Sequence, residues 1–235
     1  MQRLLITPRR KPTFRFLDSV QAALVEGLVH AGVPGEMVVG HTAHPWTFAC
    51  LGWTRRGGLR TLSRLLVSSA TDRISSAFGK LDPTHIRKTS TNGDVINLEG
   101  AHMRPDAHIP APGTRELCVY FPGRFALIRP KTGRSATEYA RSTTNTDFPV
   151  ALKAGLDRRA GRVLDLEVAI DPLTLATEGR AVPVALRKSG DRRILIPAFD
   201  MPVTLRGNPD DLAWAFHAGL GAKTRQGFGC PALSR

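Results

Sequence analysis

The stretch GLGAKTRQGFG, residues 219–229, places four glycines around a basic segment, directly after a predicted helix and before a short strand predicted at residues 231–233. Glycine tolerates positive φ angles and lets the backbone approach a ligand closely. Exposed N–H groups in such a loop form an anion-binding nest, to which Lys223 and Arg225 add full positive charges. The alternative interpretation is a mobile, solvated turn between a helix and a strand.

Strong helix signals precede this loop. Asn208 is a favoured N-cap residue, Pro209 suits the first helical position, and Asp210 and Asp211 bring negative charge to the first turn. Further upstream, the pattern predicts a helix over residues 147–156. It also predicts strands over residues 116–122, 163–170, 182–187, 193–198 and 201–205.

The first half of the chain has a similar order of elements. A helix capped by Asp18 and stopped by Gly32 and Pro34 is expected, as is a second helix capped by Thr71 or Ser69. Strands are predicted over residues 4–7, 37–39, 46–51, 61–68 and 94–98. The order strand, helix, strand, strand, helix, strand is that of a ferredoxin-like unit.

These patterns predict an α+β protein of two tandem ferredoxin-like domains with antiparallel sheets. Residues 104–115 hold three prolines and a glycine, which is typical of a linker. We therefore expect an N-terminal domain over residues 1–103 and a C-terminal domain over residues 116–235.

The composition favours a polyanionic partner. The formal net charge is +13, from 33 Lys and Arg against 20 Asp and Glu, and each phosphate that such cations neutralise releases counterions. The alternative is a solubilising surface. Cys50, Cys118 and Cys230 are far apart, which argues against a disulfide framework or a zinc site. With no long apolar run, we expect a cytoplasmic protein that contacts no membrane and needs no metal or other cofactor.

Arginines are concentrated in the first half. We expect seven of them to contact RNA: Arg9, Arg10, Arg15, Arg55, Arg56, Arg60 and Arg64. Double-stranded RNA is recognised mainly through its phosphates and 2′-hydroxyls, so such clusters suit a hairpin stem. A second patch is formed by Arg129, Lys131 and Arg134. A solvated charged face explains each cluster separately about as well.

The glycine-rich loop resembles that of the RAMP superfamily, in particular the CRISPR pre-crRNA-processing endoribonucleases, where a G-x-G-x5-G-x-G element follows the last helix. The matching residues are Gly219, Gly221, Gly227 and Gly229, with Phe228 at the usual apolar position. In the first half, residues 44–48 (HPWTF) resemble the family's histidine followed by an aromatic strand. The resemblance implies two RAMP domains and metal-independent cleavage on the 3′ side of a repeat hairpin.

The resemblance also implies that the general base comes from this loop of the first domain, a role we assign to His44 first and His41 second. Histidine suits proton transfer because its pKa lies near neutrality. The alternative is that both are ordinary loop histidines. The tyrosine and lysine that many members place near the histidine are missing here. Arginine is a poor proton donor, so either a histidine acts with arginine support or positioning and electrostatics dominate.

The function that follows is a CRISPR repeat RNA endonuclease that stays bound to the mature crRNA. Its arginine richness points to a divergent branch such as that of the type IV systems. One alternative is a non-catalytic RAMP subunit that binds crRNA together with other CRISPR effector subunits. Another is an unrelated basic RNA-binding protein.

Overall fold

Two similar arrangements of strands and helices follow one another in the computed structural model, which describes residues 1–40, 44–54, 58–129, 138–145, 147–177 and 179–233. The strands are β1 Gln2–Thr7, β2 Thr13–Phe14, β3 Trp46–Thr54, β4 Arg60–Ser69, β5 Arg87–Thr89, β6 Val95–Asn97, β7 His102–Pro105, β8 Glu116–Tyr120, β9 Leu166–Ala169, β10 Val182–Ser189, β11 Arg192–Ala198, β12 Val203–Gly207 and β13 Ala232–Leu233. The helices are α1 Leu17–His30, α2 Gly35–Val38, α3 Asp72–Ala77, α4 Phe148–Ala160, α5 Pro172–Thr177 and α6 Pro209–Ala218.

The first sheet has the strand order of a ferredoxin-like unit. Its four main strands lie in the order β3–β4–β1–β7, all antiparallel, and the short β2 also pairs with β4. Val20, Leu24 and Leu28 of α1 follow helical spacing and are fully buried in one cluster with Trp46 and Phe48 of β3. The apolar face of α1 therefore covers this sheet.

The second sheet repeats this order. Its strands lie in the order β13–β8–β12–β9, again antiparallel, so that the first strand of the unit stands between the third and the fourth. Helices α4 and α6 contribute Leu152 and Phe216 to a core that also holds Val119 and Leu205. The prediction of two tandem ferredoxin-like halves is thus confirmed.

The hairpin β10–β11 connects the two halves. It is inserted between β9 and β12 of the second half, yet Val184, Leu186 and Ile196 belong to the buried core of the first half. Strand β10 packs against α1. Since apolar burial is the main stabilising term in folding, the hairpin fixes one half against the other. The strand predicted over residues 201–205 is part of the second sheet, where β12 pairs with β8 and β9.

One strand prediction in the first half is wrong, and another predicted strand lies outside the main sheet. Residues 37–39 were expected to be a strand, but Met37 and Val38 lie in the short helix α2, because a brief apolar run after a proline fits either state. Residues 94–98 contain β6, which pairs with β5 outside the main sheet. The edge position belongs to β7, which extends to Pro105 and so into the predicted linker. The domain boundaries stay a prediction.

The start of α1 is held by a residue far away in the sequence. Asp18 was expected to be its N-cap, but the N-cap position is Phe16. The carboxylate of Asp94 accepts hydrogen bonds from the backbone N–H of Arg15 at 3.0 Å and of Phe16 at 3.1 Å, and from the hydroxyl of Ser19 at 2.9 Å. A side chain from another element therefore satisfies the groups that open this helix.

Helix α1 has 14 residues, and none of the described helices is both long and apolar enough to cross a membrane.

Candidate nucleic-acid interface

The glycine-rich loop closes on itself by contacts that leave no room for side chains. Its four matched glycines all have positive φ angles. A Cβ atom at Gly229, where φ is +64°, would lie 1.7 Å from the carbonyl oxygen of Leu220. One at Gly221 would lie 2.4 Å from the carbonyl oxygen of Ala126. At these positions only glycine fits both the backbone conformation and the space.

The loop is docked on the first half of the protein. The hydroxyl of Thr47, in β3, donates a shared hydrogen bond to the carbonyl oxygens of Thr224 at 3.2 Å and of Phe228 at 3.3 Å. Phe228 is fully buried in the core of the first half. The loop is therefore not a solvated turn. Gly219 and Gly227 are also buried, so they contribute to packing. The contact of the four glycines with RNA stays a prediction.

Three cations form a cluster at this loop, which we call the loop cation cluster: Lys223, Arg225 and Arg187 of β10. The pKa of Lys223 is lowered by its partial burial and by the charges of Arg187 and Arg225. Burial also lowers the pKa of Arg225, whose Nη1 is buried without a hydrogen-bond partner among the described residues. Like charges held together in this way attract an anion such as a phosphate.

Arg159 of α4 forms hydrogen bonds with the end of α6 and with the glycine-rich loop. Its guanidinium donates hydrogen bonds to the carbonyl oxygen of Gly219 at 2.6 Å, to that of Ala218 at 3.2 Å and to the hydroxyl of Thr224 at 3.2 Å. Burial and the charge of Arg158 lower the pKa of Arg159 to about 10. The carbonyl groups at the C-terminal end of α6 lack helical partners. The positive charge of Arg159 therefore compensates the negative end of the dipole of this helix.

His44 lies just before β3. It is half-buried, and its backbone N–H donates to the carbonyl oxygen of Met37 at 2.8 Å. Trp46 is held by a hydrogen bond of 3.0 Å from its Nε1 to the carbonyl oxygen of Val38. His44 precedes Thr47 by three positions, so its Cα lies within about 11 Å of the Cα of Thr47, the residue that bonds the glycine-rich loop. His41 falls outside the described residues.

A groove runs along α1. Asp18, Gln21, Val25 and Val39 are among the residues that line its volume of about 560 Å³. At one end, the pKa of Asp18 is raised by burial, a shift that the nearby charge of Arg187 opposes. At the other end, Val39 leads into the segment that precedes His44. The charge of Arg187, a member of the loop cation cluster, thus acts on a residue that lines this groove.

The arginines of the first half do not form one continuous patch. Arg9 and Arg10 are exposed beside Lys11 and Glu99 in a separate groove, and Arg15 and Arg64 are also exposed. Arg60 is half-buried between the two halves, where burial lowers its pKa. Arg129 pairs with Glu138 at 3.4 Å. The remaining predicted cations lie outside the described residues: Arg55, Arg56, Lys131 and Arg134.

Arg159 and Arg187 were not predicted from the sequence. Both lie on regular elements, where a basic residue is normally part of a solvated face, and the only signal was the high arginine content of the chain. Within the described ranges, no group of three or more His, Cys, Asp or Glu side chains is arranged to hold a metal ion.

We compared the sequence and the fold with those of known proteins. Residues 126–233 match the family model for "CRISPR associated protein Cas6, C-terminal". No curated protein matches the chain by sequence. A structure described as a RAMP protein binding different RNA substrates superposes with a TM-score of 0.70 at 16% identity, covering 100% of both chains.

Two further structures share the fold over nearly the whole length. The product of a Cas6-related gene of Pyrococcus furiosus has a TM-score of 0.70 at 15% identity, covering 100% of this chain and 98% of its own. A Cas6 product complex has a TM-score of 0.55 at 18% identity, with 99% and 98% covered. At such identities the likeness shows the fold, while the family match is confined to residues 126–233, which include the glycine-rich loop. Residues 126–233 are thus similar to the Cas6 C-terminal family, and the whole chain has the fold of the compared RAMP and Cas6 structures.

Proposed function

We propose that this protein is a CRISPR repeat RNA endonuclease that cleaves without a metal ion and stays bound to its product. One observation carries the proposal: Thr47 bonds the glycine-rich loop that contains Lys223 and Arg225, and His44 precedes Thr47 by three positions in the same segment. A proton-transfer group and an anion-binding site are the two parts that cleavage of a phosphodiester requires. The match of residues 126–233 to the Cas6 C-terminal family supports RNA as the substrate.

The proposed reaction uses the 2′-hydroxyl of the RNA as its nucleophile. His44 takes the proton from this hydroxyl, the 2′-oxygen attacks the adjacent phosphorus, and the bond to the 5′-oxygen breaks. The leaving 5′-oxygen gains a proton from a water molecule and His44 releases its proton to solvent, so the products are a 2′,3′-cyclic phosphate and a 5′-hydroxyl. Lys223, Arg225 and Arg187 stabilise the extra negative charge of the phosphorane, which is where preorganised cations act most strongly.

A second candidate function is that of a non-catalytic subunit that binds crRNA. The observation that favours it is the lack of any hydrogen bond between the imidazole of His44 and the described residues, since a catalytic base is normally oriented by another group. The match of residues 126–233 to the Cas6 C-terminal family argues against the third candidate, an unrelated basic RNA-binding protein. The type IV branch stays a prediction.

Incubation with a panel of repeat hairpin RNAs in the presence of a chelator separates the two functions. We expect cleavage with a 5′-hydroxyl and a cyclic or 3′-phosphate at the new ends. A hairpin with a single 2′-deoxy substitution at the scissile nucleotide is the matched control and should remain intact. Tight binding without cleavage indicates the non-catalytic subunit. Activity that is lost in chelator and restored by magnesium contradicts the proposed mechanism.

A further inference from the structure

Thr224 is held by both halves of the protein at once. Its carbonyl oxygen accepts a hydrogen bond from the hydroxyl of Thr47 in the first half, and its own hydroxyl accepts from Nη1 of Arg159 in the second, each at 3.2 Å. It is 5% exposed, although it lies between the cations Lys223 and Arg225. One buried residue therefore fixes the point from which two members of the loop cation cluster extend.

Lys223 begins this turn in a costly backbone conformation. Its φ of +59° lies in the left-handed region, which a residue with a Cβ atom rarely adopts. Its carbonyl oxygen accepts from the N–H of Gln226 at 2.8 Å, which closes a single turn of 3₁₀ helix over Thr224–Gln226. A single turn fixes several backbone angles for one hydrogen bond, so it persists only with contacts from outside. Strain that is held in this way is concentrated at ligand sites.

Arg159 carries more charge than a purely structural contact needs. Its guanidinium meets the carbonyl groups of Ala218 and Gly219 and the hydroxyl of Thr224. In the parts of the chain that the structure describes, no carboxylate lies at ion-pair distance from it. A buried cation without a counter-charge costs stability, whereas a neutral donor would satisfy the same acceptors. The charge becomes favourable when an anion occupies the neighbouring loop.

We propose that Arg159 is a positioning residue for the phosphate site: it holds Thr224 and thereby aims Lys223 and Arg225 at the anion. Without the contact between Arg159 and the Thr224 hydroxyl, the strained turn relaxes and its cations move apart. The bond from Thr47 remains, so the loop stays docked while its cations lose their alignment. This inference rests on the proposed function in that the anion is the phosphate at the cut site, and it assigns a role to a residue that acts through Thr224.

The first test needs no RNA. Thr224→Val keeps the shape of the side chain but removes the hydroxyl that accepts from Arg159, while Thr224→Ser keeps the hydroxyl. NMR of the full chain with labelled lysine follows the titration of Nζ of Lys223. Partial burial and the charges of Arg187 and Arg225 lower this pKa, so it reports how closely the cations are held. We expect the pKa to rise towards its ordinary value of 10.5 in Thr224→Val and to stay low in Thr224→Ser.

Single-turnover cleavage at saturating hairpin RNA is the second test. We expect Thr224→Val to lower the rate about tenfold with affinity nearly unchanged, since a misplacement of about 1 Å can cost about 10²-fold. Arg159→Met should act similarly, and adding Thr224→Val to it should change the rate no further, because both changes remove one contact. Thr143→Val is the matched control. It also loses one hydrogen bond of the second half, from the hydroxyl of Thr143 to the carbonyl oxygen of Leu175 at 3.0 Å, and should cleave like the parent.

An unchanged pKa of Lys223 in both Thr224→Val and Arg159→Met would overturn the inference. So would parental cleavage rates in both variants, or an equal loss of rate in Thr143→Val. If Arg159→Met does not fold, the comparison of Thr224→Val with Thr224→Ser decides. If the parent cleaves no repeat hairpin, the proposed function fails, while the titration of Lys223 still decides whether Arg159 positions the loop cation cluster.

Discussion

The hydroxyl oxygen of Ser68 and Nδ1 of His217 lie 2.8 Å apart, which joins β4 of the first half to α6 of the second. Arg3 lies beside this pair, with its guanidinium 4.9 Å from the ring centre of Phe216 and its Nε 2.9 Å from Oδ2 of Asp106. The contact is buried on both sides. It makes the junction of the halves sensitive to pH.

Acid should weaken the fold through His217. Burial and the positive charge of Arg3 lower its pKa from 6.5 to about 4. Between these values the unfolded chain binds the extra proton and the folded chain does not, so stability falls as the pH drops from 6.5 to 4. The loss should reach at most about 3 kcal/mol. Urea unfolding of the parent and of His217→Gln across this range measures it, and an identical pH dependence in both proteins would contradict the assignment.

Loss of His44 should slow cleavage and leave binding nearly intact. A group that transfers a proton contributes roughly 10²–10⁴ in rate, while its imidazole adds little to affinity for a hairpin. Single-turnover cleavage and hairpin affinity of His44→Ala provide the measurement, with His41→Ala for comparison. Parental rates in both single mutants and in the double mutant would mean that histidine does not catalyse the reaction, and an arginine-driven mechanism would replace it.

The loop cation cluster should set part of the salt dependence of RNA binding. Replacing Lys223 and Arg225 together by alanine should lower the slope of log affinity against log salt by up to about two units. Lys80→Ala serves as the control, because Lys80 is exposed on the surface of the first half and far along the chain from the loop. A salt titration for the three proteins, with a melting curve for each, tests this. Slopes that agree within error would show that the two side chains do not contact RNA.

Gly229 and Gly190 offer a matched pair for the loop backbone. Their φ angles are +64° and +58°, but only Gly229 faces an atom that a Cβ would strike. Gly190→Ala should cost about 1–2 kcal/mol of stability from the left-handed backbone alone. Gly229→Ala should cost clearly more or prevent folding, because the carbonyl group of Leu220 must move. Equal unfolding free energies for the two variants would show that the loop tolerates side chains.

Features set by neighbouring residues could be predicted from the sequence. The N-cap of α6 is one, since the side chain of Asn208 accepts from the N–H of Asp210 at 2.9 Å, two residues away. Features that join distant residues could not. Asp94 meets the start of α1 from 78 positions away, and Thr47 meets the glycine-rich loop from 177. Nothing local in either segment marks such a contact.

In the candidate site too, features set by neighbouring residues were predicted and features that join distant residues were not. The glycine-rich loop was recognised because its spacing is local, and the structure shows that its glycines are packed and its cations partly buried. Arg60 was expected on the surface, but it lines a pocket whose other wall comes from the second half. A charged residue near a turn is exposed on average. Arg60 is partly buried because the second half of the protein packs against it.

The hairpin β10–β11 belongs to the second half by sequence but packs in the core of the first. Each half therefore depends on the other for its folded structure. A cut between residues 104 and 115 would leave α1 without Val184, Leu186 and Ile196, and would leave the hairpin with its apolar side uncovered. Neither fragment would then hold its shape alone, and each would recover it by complementing the other. Heat should accordingly melt the intact protein in a single cooperative step.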